Sequence, residues 1–236
     1  MNAKTRILEA AAELLASSPI ADVSTRAVCE AAGVGAPALY RQFGDKEGLL
    51  SAVVDHGFEQ YLSVKRAAKP SPDPVRDLRD GWDSHVAFAL AQPNYYRLMY
   101  SPAMVTPPQA AAEAHRLLTV VLERCAAAGR LRLSPDVAAQ MIMSANVGVA
   151  LSLITRPAIY TDPEVSTRVR DAVHAAILTP EHGTVAAPNG DPDQTGTAAA
   201  SLGALLRQSA STTLTPAEAQ LLQEWLARLS NGSASS

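Results

Sequence analysis

The sequence predicts an all-α protein. Nearly every segment of its 236 residues spaces apolar side chains three and four apart. The breaks between segments are runs of Pro, Gly, Ser and Asp, which stop or cap helices. Residues 24–50, STRAVCEAAGVGAPALYRQFGDKEGLL, add two short helical patterns joined by a glycine turn.

The first helix, over residues 3–16, carries the stripe Ile7, Leu8, Ala11, Leu14 and Leu15. Ser17, Ser18 and Pro19 break it, and Ile20 to Val23 lead to Ser24, an N-cap for a helix over Thr25 to Ala32. Gly33 can take positive φ and end that helix. The next helix, 36–42, tolerates Pro37 in its first turn and sets Leu39 and Phe43 on one face. Asp45 caps a long helix from Lys46 to about Ala67, with Leu49, Leu50, Val53, Val54, Phe58, Tyr61 and Leu62 inward. A helix-turn-helix of this kind can enter a DNA major groove with its second helix.

At these residues the sequence resembles the tetracycline-repressor (TetR) family of bacterial transcription regulators. The resemblance rests on AAGV at 31–34, LYRQF at 39–43, and Asp45-Lys46-Glu47 followed by Leu49-Leu50, and it covers residues 1 to about 60. It implies a homodimer bound to a palindromic operator in double-stranded DNA and released by a small hydrophobic or aromatic effector. An activator, or a helical small-molecule-binding module with a vestigial head, is the alternative.

Beyond the head, KPSPDP at 69–74 is a stop. A fifth helix over Val75 to Ala91 aligns Leu78, Trp82, His85 and Ala89, and a short tyrosine-rich segment follows Pro93. A seventh helix opens at Pro107-Pro108 and closes at Gly129, with Leu117, Leu118, Val121, Leu122 and Cys125 among its apolar residues. Ser134-Pro135-Asp136 starts an eighth, apolar almost all round to Thr155, which must be buried on more than one side. Gln140, Ser144, Asn146 and Ser152 argue against a membrane span there. Asp162-Pro163 starts a ninth helix to about Leu178.

The expected organisation is a DNA-binding domain at 1–48, a ligand-binding and dimerisation domain at 49–178, a flexible linker at 179–200 rich in Pro, Gly, Thr and Asp, and an amphipathic extension at 201–236. In that extension Leu221, Leu222, Trp225, Leu226 and Leu229 share a side.

Charge is a poor guide to the partner. The net charge is −3 and the pI about 5.9. In residues 1–60 five basic side chains (Lys4, Arg6, Arg26, Arg41, Lys46) face eight acidic ones (Glu9, Glu13, Asp22, Glu30, Asp45, Glu47, Asp55, Glu59). Location outweighs the sum, because Arg26, Arg41 and Lys46 lie inside the motif. The two cysteines, Cys29 and Cys125, sit in apolar helical patterns and read as core thiols of a cytoplasmic protein. The five histidines show no metal-ligand spacing, and no phosphate loop or nucleophile motif occurs, so neither a metal, a cofactor nor enzyme chemistry is expected.

The DNA-facing set is Thr25, Arg26, Gly35, Ala36, Pro37, Ala38, Tyr40, Arg41, Gln42 and Lys46. Tyr40 and Lys46, at one helix end and the next helix start, suit phosphates. Ala36, Pro37 and Ala38 can pack on thymine methyls, Arg41 or Arg26 can read guanine, and Gln42 adenine or a phosphate. The family often has a polar or basic residue near 36 and histidine at 42, where this chain has Ala36 and Gln42. Effector-lining candidates are Trp82, His85, Phe88, Tyr95, Tyr96, Tyr100, Met104 and Met141, apolar walls with a few polar groups. The resemblance places the dimer contact on the eighth and ninth helices, at Ala145, Gly148, Val149, Val165, Val169, Ala172 and Val173.

Overall fold

The computed structural model describes residues 2–17, 24–101, 108–180, 192–208 and 214–232. Among them are eleven helices and one isolated antiparallel bridge, Leu131 with Leu178. The helices are α1 (Ala3–Ser17), α2 (Thr25–Ala32), α3 (Ala36–Phe43), α4 (Lys46–Ala67), α5 (Pro74–Ala91), α6 (Pro93–Met99), α7 (Gln109–Ala127), α8 (Pro135–Thr155), α9 (Val165–Ile177), α10 (Pro192–Gln208) and α11 (Pro216–Gly232). The chain forms two compact units.

The first unit is Met1–Ala68, Val86–Arg116 and Ala150–Pro157. Here α1 packs on α2, α3, α4 and α6. Its core is the predicted stripe set: Ile7, Ala11 and Leu15 from α1, Val28 from α2, Leu39 from α3, and Leu49 and Val53 from α4. Full burial of each large aliphatic chain contributes about 1.5–3 kcal/mol. Asn94 of α6 donates its Nδ2 to the Leu15 carbonyl at 2.7 Å, giving a partner to an orphan acceptor in the last turn of α1. The crossing of α4 and α6 is close: a Cβ on Gly57 would lie 2.3 Å from the Tyr95 ring. The boundary expected at 48/49 falls inside α4, which is continuous across it.

The second unit is Lys69–His85, Leu117–Val149 and Ala158–Ser236. Asp73 caps α5 by accepting from the Val75 and Arg76 amides at 2.9 and 3.1 Å. Arg124 of α7 pairs with Asp77 at 2.5 Å. Trp82, 2 % exposed, donates its indole N–H to the Ser166 hydroxyl at 3.0 Å and so ties α5 to α9.

The expected linker needs correction. Residues 181–191 lie outside the described residues, but Pro192 to Ala200 form the first half of α10. Proline is compatible with a helix's first turn, and the small residues that read as linker are what let α10 approach α11 closely. Ala199, Ala200 and Ala204 are buried, and Gln223 reaches the Gly203 carbonyl at 3.3 Å. Arg207 joins Glu123 of α7 (3.2 Å) and Gln223 of α11 (3.0 Å). At the start of α11, Thr215 and Glu218 form a reciprocal capping box, the Thr215 amide donating to Glu218 at 2.8 Å and the Glu218 amide to Thr215 Oγ1 at 3.4 Å. The extension is therefore a helical hairpin.

Candidate nucleic-acid interface

The geometry of the head is set by three local devices. Ser24 Oγ accepts from the Ala27 amide at 3.1 Å and fixes the start of α2. Gly33, at φ 62° and ψ 42°, ends α2 in the left-handed conformation, with the Val34 amide donating back to the Cys29 carbonyl at 3.0 Å. After α3, Gly44 at φ 81° makes the turn into α4, where Asp45 accepts from the Gly48 amide at 2.7 Å. Gly48 is a residue that the sequence pattern passed over. A Cβ there would lie 2.1 Å from the Phe43 carbonyl oxygen.

These devices leave α3 with Leu39 fully buried and its other side open. Gly35, Ala36, Pro37, Tyr40, Arg41 and Gln42 are exposed, and Ala38 is half-buried. Lys46, in the first turn of α4, is exposed beside the same turn. Thr25 Oγ1 and Tyr40 OH stand 3.5 Å apart, so the start of α2 and the end of α3 present two hydroxyls together. The N-terminus of α2, with its positive dipole end, lies at the same place. Arg26 pairs with Glu30 at 2.9 Å, but their side chains are 88 % and 66 % exposed. Such a pair is worth about 0–1 kcal/mol and does not hold the guanidinium from a phosphate. All ten sequence-predicted DNA residues thus lie on exposed or half-buried positions of the head.

The expected effector residues divide between the units. Phe88, Tyr95, Tyr96 and Tyr100 belong to the first, where Phe88 stacks on Phe58 and Tyr61 with ring centroids 4.4 and 4.6 Å apart. Tyr96 packs on Tyr100 at 4.8 Å. Burial pushes both phenols above their ordinary pKa, so they are neutral hydroxyls. Trp82, His85 and Met141 belong to the second unit, and Met104 lies outside the described residues. Met141 is 36 % exposed and is not an inward wall of this chain. Helix α8 lacks a polar face, so periodicity could not tell its inner side from its outer. The structure also shows a cleft of about 440 Å³ in the first unit, between α4 and the start of α7. It is lined by Asp55, Glu59, Leu62, Arg66, Glu113 and Arg116, none of them expected from the sequence. Its charges are largely satisfied, with Arg116 on Glu113 at 2.7 Å and Asp55 accepting from the Ala110 amide at 2.9 Å.

The expected dimer residues all retain some exposure. Ala145, Val149, Val165, Val169 and Val173 are half-buried, and Gly148 and Ala172 are exposed. Among the described helices α8 alone is long and apolar enough to cross a bilayer, and one third of that apolar window is buried within the chain. No group of three or more His, Cys, Asp and Glu among the described residues is placed to hold a metal. Both cysteines are buried and unpaired, and burial pushes the Cys125 thiol up to about 12.

The head is thus a capped helix-turn-helix with an open second helix and clustered hydroxyls. Residues 7–53 match the model of bacterial regulatory proteins of the tetR family. It is 43 % identical over 75 residues to the HTH-type transcriptional regulatory protein RaaS of Mycobacterium tuberculosis, spanning 32 % of this chain and 35 % of that one. It is 28 % identical over 125 residues to the nucleoid occlusion factor SlmA of a Marinomonas species, spanning 51 % of this chain and 60 % of the relative. The matches therefore span about a third and three fifths of those relatives' lengths. Similar folds include NalD of Pseudomonas aeruginosa, the secondary repressor of the MexAB-OprM multidrug efflux pump (TM-score 0.54, 19 % identity, 76 % of this chain and 98 % of that). A TetR variant from Acinetobacter baumannii, in complex with minocycline, is another (TM-score 0.57, 21 % identity, 72 % and 93 %).

Proposed function

We propose that the protein is a cytoplasmic, non-enzymatic transcriptional regulator that binds a palindromic operator as a homodimer and is released from it by a small uncharged effector. The observation that carries this reading is the open face of α3, with Tyr40 and Thr25 joined at its end and Lys46 beside it, above a fully buried Leu39. Tyr40, Thr25 and Lys46 hold phosphates and set the register, and Ala36, Pro37, Ala38, Arg41 and Gln42 meet base edges. The second subunit packs against α8 and α9, whose Ala145, Gly148 and Ala172 permit close approach and whose apolar surface one chain leaves partly open. Half-sites in such dimers lie about 34–36 Å apart or a multiple of it. An effector that prefers the arrangement with mismatched heads weakens operator binding by its differential affinity for the two states, and the operator weakens effector binding by the same factor.

The test is operator binding as a function of salt. Lys46→Ala and Tyr40→Phe weaken binding evenly across sequences, and Lys46→Ala lowers the magnitude of the salt slope by about 0.9. Arg41→Ala instead relaxes preference at one or two base pairs. Unchanged affinity and slope in Lys46→Ala would remove Lys46 from the phosphate set.

A further inference from the structure

The second unit holds a buried polar cluster that the fold itself leaves unfinished. Trp82 of α5 is its centre. Asn146 of α8, 3 % exposed, donates Nδ2 to the Trp82 carbonyl at 3.4 Å, and its Oδ1 has no partner. His174 of α9, also 3 % exposed, meets the Trp82 ring edge-on with centroids 6.2 Å apart, and neither of its ring nitrogens has a partner. Three buried polar atoms around one tryptophan thus lack hydrogen bonds. Leaving buried polar groups unsatisfied is costly, and a purely structural core would avoid it with apolar residues.

We propose that Asn146, His174 and Trp82 form the recognition wall of an effector site for an uncharged planar molecule with adjacent donor and acceptor, of the lactam or amide type. The class follows from what the cluster lacks. Asn146 Oδ1 needs a donor. A neutral imidazole offers one N–H and one lone pair, so it needs an acceptor and a donor. The flat indole favours a planar molecule.

Burial disfavours a charged ligand. Arg170 is paired with both Asp83 oxygens at 2.7 Å and with Asp171 at 2.9 Å, and an ion would meet the desolvation cost of a buried site. Trp82 was expected at the effector site from the sequence; Asn146 and His174 are new members. The proposal rests on the reading of the protein as effector-responsive and names the chemistry of that site.

The experiment uses the full chain carrying Trp225→Phe, which leaves Trp82 as the only tryptophan. The probes are 2-pyridone, its N-methyl derivative, which lacks the donor, and benzene. Binding without DNA is read from Trp82 emission and from the imidazole nitrogen resonances of His174. The expected result is that 2-pyridone perturbs both, and that the N-methyl compound and benzene bind at least tenfold more weakly. Asn146→Leu should lose at least tenfold for 2-pyridone alone. Should Asn146→Leu fail to fold, the N-methyl comparison on the unsubstituted cluster decides.

Equal binding of all three probes, or no perturbation of Trp82 and His174 by 2-pyridone, overturns the proposal; in the latter case bound water completes the cluster. Operator binding is measured separately. Probe binding with unchanged operator affinity keeps the site and rejects its regulatory role. Operator release by compounds that leave Trp82 and His174 unperturbed rejects the site and keeps the regulator.

Discussion

Acidifying the protein should destabilise it through His174. Burial, reinforced by the positive charges of Arg170 and Arg79 and opposed by Asp171 and Asp83, pushes this imidazole from 6.5 down to about 4. The unfolded chain therefore binds a proton that the folded chain refuses between those two values. Stability is full above pH 6.5 and falls as pH drops toward 4. One such group costs about 2 kcal/mol by pH 5 and about 3 kcal/mol by pH 4, against a typical total of about 5–15 kcal/mol. Urea unfolding at fixed protein concentration, at pH 7.5, 6 and 5, gives the midpoint and slope at each pH. In His174→Gln, which does not titrate, the loss between pH 7.5 and 5 should shrink by about 2 kcal/mol. An identical acid dependence in the two proteins would refute the reasoning.

Three further outcomes are expected. Gly57→Ala should lower stability by about 1–3 kcal/mol, because its Cβ meets the ring of Tyr95, itself 8 % exposed and hemmed in; a melting temperature raised by the better helix former would mean that α4 and α6 do not cross so closely. Gly48→Ala should loosen the α3–α4 turn, since its Cβ collides with backbone at Phe43 rather than with a yielding side chain; hydrogen exchange at Leu49 and Leu50 should speed up, and unchanged protection would contradict the turn geometry. Val169→Asp should give monomers in sedimentation, because it places an unpaired charge on the α9 face assigned to the partner subunit; a folded variant that stays dimeric puts the interface elsewhere.

The head was legible because its signals are local. Ser24, Gly33 and Asp45 act on amides and carbonyls within a few residues, and the Leu39 and Phe43 spacing separates the inner side of α3 from the outer. What escaped the sequence depends on partners far along the chain. Asn146 and His174 sit in apolar runs where a polar residue reads as an interruption, and only packing against Trp82 reveals that they are sealed in. Residues 192–200 carry Pro, Gly and Thr, and only the presence of α11 turns their smallness into a close helix contact. The Gly57 and Tyr95 approach is likewise a tertiary fact, since glycine in mid-helix otherwise reads only as a weak helix former.

Under the proposed function, the acidic balance of the head has a kinetic meaning. Residues 1–60 carry eight acidic and five basic side chains, so random duplex exerts little attraction on them. Sliding along DNA depends on that sequence-independent attraction, and here encounters end quickly. Search would then proceed mainly by repeated three-dimensional collisions, each one brief unless the proposed contacts of Thr25, Tyr40 and Lys46 with phosphates and of α3 with bases form together. The chromosome would then store little of the protein on irrelevant sequence. Operator occupancy would consequently follow the total amount of protein closely, and an effector would have no large non-specific reservoir to drain before transcription responded.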